Sequence, residues 1–334
     1  MSPAIEEVTI VRFFPSVVQF HIICSFFILF LFVQACPAEP LPDNPVEVGN
    51  VHWSRDFKTT LTESRGSGKP IFVLFQEIPG CIGCQTFGSK VLTHPLLVEA
   101  IESEFLPILV YNSKFDGEDK KILDQFNEPG WNYQVIRFIN SKGEDVIPRK
   151  DKIWTISGVA SRMILALQKL ERPIPLYLQN LVLEYDNVDH GQIGFAMACY
   201  WTGEYKLGKV NGVVATETGW YDNREVTLVT YHKDFVTTKD LIDYAAQEHC
   251  AQRVYSFPGD QLISTKLTVK PFRTEEYKKA QLTDQKKQLS LWPQIGKIQN
   301  LTQLQRVKLN SFAPDDRKRA LQYLSPRQLN QLLK

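Results

Sequence analysis

The sequence predicts an α/β domain followed by a two-layer α+β domain. From about residue 51 to 170, apolar runs of strand length alternate with segments of helical spacing, a pattern typical of an α/β sandwich. After residue 190 the order becomes strand, helix, strand, strand, helix, which favours a two-layer α+β domain. The proline-containing segment 171–175 interrupts the first pattern and marks the boundary between the two domains.

Length and charge limit the classes of function. The chain has 334 residues, enough for two domains once its N-terminal segment is set aside. Its 38 basic and 37 acidic residues leave a formal net charge of +1. Because no basic block is interleaved with aromatic residues, we expect no nucleic-acid partner.

Residues 1–49 are interpreted as a targeting segment and linker. The apolar stretch 20–33 is short for a membrane span and is similar to the apolar region of a signal peptide. Three alternatives stay open: cleavage after a signal peptide near Ala35, lipidation of Cys36 within the lipobox-like segment 33–36, or an uncleaved membrane anchor. Each places the remainder outside the cytoplasm, in the periplasm or cell envelope.

The elements of the first domain, placed at residues 50–172, follow from the spacing of apolar residues. Short continuous apolar runs predict buried strands, and apolar residues that recur every three or four positions predict helices. The predicted order is strand 70–75, helix 81–90, helix 96–104, strand 105–111, strand 134–139 and helix 155–170.

Two cysteines open the first of these helices. The segment 80–84, Gly-Cys-Ile-Gly-Cys, follows a buried strand, and a thiolate is stabilised at a helix N-terminus. Cys81 and Cys84 can close a small disulfide ring, so the pair predicts a redox site with Cys81 attacking. Half of a zinc site is the alternative. Zinc needs further ligands, and because His52 and His94 are isolated in the sequence, we expect no metal and no cofactor.

Residues 50–170 resemble a thioredoxin-like domain. The resemblance rests on the strand 69–75, the two-cysteine helix start and the segment 96–111. It implies a thioredoxin-like sandwich and thiol–disulfide exchange. It departs from the family before the third strand, where the segment 133–135, Tyr-Gln-Val, replaces the expected cis-proline. That proline helps the family bind substrate, so we expect altered redox specificity.

In the second domain, placed at residues 173–260, the predicted elements begin with a strand from 190. A helix from Cys199, strands 212–219 and 224–232, and a helix 238–249 follow it. Gln, Lys and Leu recur at helical spacing after residue 274, so we predict that 261–334 is a helical C-terminal extension.

Cys199 lies where an apolar run meets the aromatic pair Tyr200-Trp201. A thiol at a strand-to-helix turn lies near unpaired backbone N–H groups, which favour the nucleophilic thiolate. A buried structural cysteine followed by core aromatics is the alternative interpretation.

The segment 198–204, Ala-Cys-Tyr-Trp-Thr-Gly-Glu, resembles the Gly-Cys-Phe-Trp-Gly signature of class A peptide methionine sulfoxide reductases. The resemblance continues in the same order through residues 210–214, 218–221 and 225–231. It implies a peptide-methionine (S)-S-oxide reductase whose substrate is methionine sulfoxide, in proteins or free.

The resemblance also implies a role for each site residue. Cys199 would attack the sulfoxide sulfur and be left as a sulfenic acid. Glu225 would supply the proton to the departing oxygen, and Tyr221 would bind that oxygen. Tyr200 and Trp201 would hold the methyl group on the sulfur.

A sulfenic acid needs a second thiol. Cys250 is the other cysteine of this domain, so we predict that it resolves the oxidised Cys199. Cys81 and Cys84 would then reduce the Cys199–Cys250 disulfide, so the reductant is a thioredoxin-like thiol within the same chain. Two alternatives stay open: a thiol–disulfide oxidoreductase that uses Cys81 and Cys84 beside a non-catalytic second domain, and a non-enzymatic envelope protein.

Overall fold

Two β-sheets organise the part of the chain that the computed structural model describes, residues 43–114, 116–131, 134–186, 190–259, 264 and 266–333. Cys24, Cys36 and the apolar stretch 20–33, which carry the targeting predictions, lie outside the described residues, as does Tyr133. Of the helices that are described, none combines the length and apolar character that a membrane crossing requires.

The first sheet has four strands in the order β2-β1-β3-β4. They are β1 (Ile71–Gln76), β2 (Leu106–Tyr111), β3 (Gln134–Ile139) and β4 (Lys150–Asp151). β1 is parallel to β2 and antiparallel to β3, and β3 is antiparallel to β4. Every residue of β1 is buried, as its continuous apolar run predicts.

Helices cover both faces of this sheet. They are α1 (Phe57–Ser67), α2 (Ile82–Lys90), α3 (Pro95–Glu104), α4 (Gly117–Gln125), α5 (Ile156–Lys169) and α6 (Leu176–Tyr185). Phe72 and Leu74 pack in one apolar cluster with residues of α2, α3 and α5. Val73 and Phe75 pack in a second cluster with residues of α1 and α4. The strand order and the helix that follows β1 confirm the predicted thioredoxin-like sandwich.

The first core extends past the predicted boundary at residue 172. Tyr177, Leu178 and Leu181 of α6 belong to the same apolar cluster as Phe72. Segment 171–175 is therefore a turn between two packed helices, α5 and α6. Its prolines explain why the sequence pattern breaks there although the packing continues.

The second sheet has six strands in the order β10-β6-β7-β5-β8-β9. They are β5 (Gly191–Met197), β6 (Val213–Tyr221), β7 (Arg224–Tyr231), β8 (Arg253–Ser256), β9 (Thr268–Pro271) and β10 (Lys278–Lys279). α7 (Tyr200–Leu207) follows β5, and α8 (Thr238–Gln247) follows β7. Side chains from both helices join Phe195 and Val229 in one cluster on one face of the sheet. The predicted two-layer α+β order is confirmed.

The C-terminal extension differs from the predicted run of helices. β9 pairs with β8, and β10 pairs with β6, so the early part of the extension completes both edges of the second sheet. An unpaired strand edge exposes backbone hydrogen-bonding groups, which these short strands satisfy. Helices then follow: α9 (Lys287–Ser290), α10 (Gln303–Phe312), α11 (Arg317–Leu321) and α12 (Pro326–Leu333).

Two candidate cysteine sites

Cys81 and Cys84 lie together at the start of α2. Cys81 is the residue that precedes the first turn of the helix, with extended backbone, and Cys84 lies within that turn. Their sulfur atoms are 3.8 Å apart, and none of the four cysteines that the structure describes forms a disulfide. Cys81 is exposed whereas Cys84 is buried, so one sulfur faces solvent and the other lies behind it.

The two thiols differ in acidity. The backbone N–H of Cys84 lowers the pKa of the Cys81 thiol, as expected at a helix N-terminus. Burial raises the pKa of the Cys84 thiol to about 12, because a charged sulfur is poorly solvated there. Cys81 is therefore the sulfur placed for attack, and Cys84 must lose its proton before it can react.

A third ionisable group lies beside this pair. Glu77 directly follows β1, and one of its carboxylate oxygens lies within 4.8 Å of the sulfurs of both Cys81 and Cys84. Glu77 is not among the site residues predicted from the sequence. The signal that could have revealed it is a carboxylate at the end of a buried strand, four residues before the first cysteine.

The loop that carries the cysteines is held by close backbone packing. The buried Glu47 accepts a hydrogen bond from the Gly80 N–H at 2.8 Å. A Cβ atom on Gly80 would lie 2.5 Å from the Glu77 carbonyl oxygen and 2.7 Å from the Cys84 Cβ. Only glycine therefore allows the chain to bring Glu77 and Cys84 this close.

Cys199 forms the second site, at the start of α7. It is partly exposed, and its backbone is extended where β5 turns into the helix. Glu225 on β7 lies opposite Met197 of β5. The Glu225 Oε2 atom accepts a hydrogen bond from the Tyr200 N–H at 2.8 Å. Glu225 thus satisfies one of the unpaired N–H groups at the helix start, next to the Cys199 thiol.

Aromatic side chains surround this helix start. The Tyr200 ring lies 5.9 Å from the ring centroids of both Trp201 and Trp220. The structure therefore brings Cys199, Glu225, Tyr200 and Trp201 together. Trp220, one position before Tyr221, is not among the site residues predicted from the sequence.

The extension supplies two more groups to the Cys199 site. Burial raises the pKa of the Tyr200 hydroxyl, with a further contribution from the Asp284 carboxylate to which it donates a hydrogen bond. The Lys287 Nζ atom lies 4.9 Å from the centroid of the Trp201 ring, a cation–π contact. The Trp201 Nε1 atom is buried and finds no hydrogen-bond partner within the described residues. The helices predicted for the C-terminal extension did not indicate that Asp284 or Lys287 would lie at the Cys199 site.

Tyr221 is not brought to Cys199, contrary to the sequence-based expectation. Its hydroxyl accepts a hydrogen bond from the Arg273 N–H at 3.0 Å and donates one to the Pro271 carbonyl at 3.2 Å. Its ring packs with Tyr255 and Phe272. Because consecutive strand residues point to opposite faces, Tyr221 lies across the sheet from the face that carries Glu225 and α7.

Cys250 is a core residue. It packs in the apolar cluster that includes Phe195 and Leu207, and only 3% of it is exposed. Burial raises the pKa of its thiol to about 11, so the thiol is neutral near pH 7. To attack an oxidised Cys199, the Cys250 thiol would have to move out of this apolar cluster. The role of Cys250 as the resolving thiol stays a prediction.

Comparisons with known proteins add little to this geometry. No family model matches the chain, and no curated protein matches it. A solved structure titled "DsbH Oxidoreductase" is similar to part of the chain, with 16% sequence identity and a TM-score of 0.30. The matched region covers 41% of this chain and 96% of that one. The fold assignment rests on the strand order and helix placement described above.

Proposed function

We propose that the chain is an extracytoplasmic thiol–disulfide oxidoreductase that works through Cys81 and Cys84. The observation that carries the proposal is the pair of sulfur atoms 3.8 Å apart at the start of α2, one exposed and one buried. A disulfide bond is about 2.05 Å long, so a small movement within one helical turn brings the two sulfurs to bonding distance when a substrate disulfide accepts their two electrons. The extracytoplasmic location rests on the targeting segment predicted at residues 1–49.

The exchange reaction uses the two sulfurs in sequence. The Cys81 thiolate attacks one sulfur of a substrate disulfide, forms a mixed disulfide and releases the other substrate sulfur as a thiolate. Cys84 then loses its proton and attacks the Cys81 sulfur. The substrate leaves as a dithiol, and the two electrons it gains come from the formation of the Cys81–Cys84 disulfide. The reverse sequence oxidises a substrate dithiol.

Variants of the two cysteines test the proposal by insulin disulfide reduction. Cys81→Ser should abolish the reaction because the attacking sulfur is lost. Cys84→Ser should stop after the first step and trap a mixed disulfide that mass spectrometry detects. Cys250→Ser is the matched control, because it changes a buried cysteine outside the pair. Full insulin reduction by Cys81→Ser would contradict the proposal.

A second candidate function is the reduction of methionine sulfoxide at Cys199. It is favoured by the contact of the Glu225 carboxylate with the N–H that follows Cys199. The Cys199 sulfur would attack the sulfoxide sulfur, and Glu225 would protonate the oxygen as it transfers. The products are a methionine thioether and a sulfenic acid on Cys199. A thiol then attacks the sulfenic acid, which forms a disulfide and releases water.

This second function has its own test. Cys199→Ser should abolish the reduction of a methionine sulfoxide substrate with dithiothreitol as reductant, and should leave insulin reduction unchanged. Sulfoxide turnover that survives in Cys199→Ser would exclude the second function. If turnover with the chain's own dithiol as reductant also requires Cys81, the first domain supplies electrons to the second.

A further inference from the structure

Glu77, Cys81 and Cys84 form a cluster of three metal-ligating side chains at the start of α2. One carboxylate oxygen and two sulfurs lie within 4.8 Å of one another. They come from two different elements, the end of β1 and the first turn of α2. The tight loop around Gly80 holds these two elements together. The backbone positions of the three residues are therefore fixed by the packing of the loop.

The spacing of the two sulfurs fits tetrahedral coordination. Zinc–sulfur bonds of about 2.3 Å that meet at the tetrahedral angle separate the sulfurs by about 3.8 Å. The Cys81 and Cys84 sulfurs are 3.8 Å apart. The pair therefore needs little rearrangement to hold an ion between its sulfurs.

The charge of the cluster also favours a cation. The Glu77 carboxylate lies beside the sulfurs that must become negative before they react, and like charges at this distance oppose one another. A divalent cation bound between the three groups would remove this conflict, because it neutralises the carboxylate and the thiolates together.

We infer that the reduced Cys81–Cys84 pair and Glu77 bind a zinc ion. Zinc accepts both thiolate sulfur and carboxylate oxygen, whereas magnesium and calcium select oxygen ligands. Three protein ligands leave a fourth position, which water fills on the exposed side of Cys81. The isolated positions of His52 and His94 in the sequence led us to expect no metal. Glu77 supplies the ligand that neither histidine offers.

Zinc binding and disulfide formation exclude each other. When zinc binds, each thiol releases one proton and no electron moves. When a disulfide reagent accepts two electrons from the pair and leaves as a dithiol, both sulfurs are used in the Cys81–Cys84 disulfide and the zinc is released. A zinc-bound pair cannot exchange disulfides, so zinc would keep the reduced dithiol inactive until the zinc is removed. The zinc site does not depend on the proposed exchange activity.

The experiment titrates zinc into the purified protein against a chromophoric chelator. The protein is first stripped of metal and reduced, and a second sample is oxidised to the disulfide. We expect one zinc ion per reduced chain and none at this site in the oxidised chain. Cobalt gives a second measurement, since thiolate ligation produces a sulfur-to-cobalt charge-transfer band and tetrahedral geometry produces visible absorption.

Variants assign the ligands. Cys81→Ser should remove the site, and because Cys81 is exposed, this variant tests the inference even if Cys84→Ser folds poorly. Glu77→Gln should weaken zinc binding at least about tenfold, as expected when a group that orients or ligates the metal is lost. The exposed Glu63→Gln on α1 is the matched control and should bind zinc as the wild type does.

Three results would overturn the inference. They are equal zinc affinity in Glu77→Gln and wild type, equal affinity in the reduced and oxidised chains, and zinc binding that persists in Cys81→Ser. Insulin reduction by the metal-free protein is measured in parallel. Loss of exchange activity with intact zinc binding would reject the proposed function alone, and the reverse result would reject the zinc site alone.

Discussion

Replacing Glu225 separates its structural contact from its chemical role. In the structure one carboxylate oxygen accepts the Tyr200 N–H at 2.8 Å. In the sulfoxide hypothesis the same carboxyl group delivers a proton. Glutamine keeps an acceptor oxygen at the same position but has no acidic proton to deliver, whereas alanine has neither. The pair Glu225→Gln and Glu225→Ala therefore distinguishes the two functions of one side chain.

The magnitudes follow from the contact and from general acid catalysis. Removing a side chain that caps a helix N-terminus costs about 1 kcal/mol of unfolding free energy, which corresponds to roughly 2 to 4 °C in the unfolding midpoint of a domain of 150 to 250 residues. Loss of a positioned proton donor lowers turnover by about 10²- to 10⁴-fold. We expect Glu225→Ala to show both effects. Glu225→Gln should keep its stability within a few tenths of a kcal/mol and lose only turnover.

Two assays measure these effects on the same samples. Thermal unfolding followed by circular dichroism reports stability, and reduction of a methionine sulfoxide substrate with dithiothreitol reports turnover. Cys199→Ser sets the background rate. Wild-type turnover in Glu225→Gln would refute the assignment of the proton donor. Unchanged stability in Glu225→Ala would show that the contact with Tyr200 contributes nothing to the start of α7.

Three further predictions follow from buried groups. Trp201→Phe keeps an aromatic ring for the methyl group on the sulfur and removes an indole N–H that is buried and lacks a partner among the described residues. Turnover of a methionine sulfoxide substrate should therefore stay close to that of the wild type, and a large loss would contradict the role of Trp201 as an apolar wall. Cys250→Ala should allow dimedone to label the Cys199 sulfenic acid after one turnover, and labelling equal to wild type would exclude Cys250 as the resolving thiol. Burial lowers the pKa of Lys308 to about 7, whereas an unfolded lysine has a pKa of about 10.4. Between these two pKa values the unfolded chain binds more protons than the folded chain, so the free energy of unfolding of the wild type should rise with pH. Urea unfolding followed from about pH 6 to pH 10 measures this rise. Lys308→Met should lack it.

The strands and helices that could be predicted from the sequence are those that depend on the pattern of apolar residues within the element itself. Strand β3 was predicted at residues 134–139 and lies at Gln134–Ile139, because four of its six residues are apolar and three of these are β-branched, which favours a strand. The helix that begins after Cys199 and the paired strands β6 and β7 were predicted for similar reasons. Their short connections keep the pairing close in sequence, so local pattern and tertiary structure agree.

What the sequence could not reveal depends on contacts between distant residues. β9 and β10 are short and polar. They adopt strand structure because they pair with the otherwise unpaired edges of β8 and β6. Glu77 follows a buried strand, but its place beside the two cysteines depends on the tight loop around Gly80, which the sequence pattern does not specify. The prediction that Tyr221 lies in the site rested on the order of the motifs along the sequence. That order does not specify which face of β6 a residue occupies, and a shift of one residue reverses the face.

The C-terminal extension connects the two cysteine-bearing domains. Its segment near residue 284 hydrogen-bonds to Tyr200 at the Cys199 site. Farther along, Glu184 on α6 accepts the Gln303 N–H at 2.9 Å, and Glu99 on α3 accepts the Arg327 N–H at 2.8 Å. These two carboxylates satisfy N–H groups at the starts of α10 and α12. One continuous segment therefore supplies a side chain to the Cys199 site and is anchored to helices whose side chains share the core of the Cys81–Cys84 domain. The two contacts of the extension with α6 and α3, and its contact with Tyr200, therefore contribute to holding the Cys199 site and the Cys81–Cys84 domain in one packed unit.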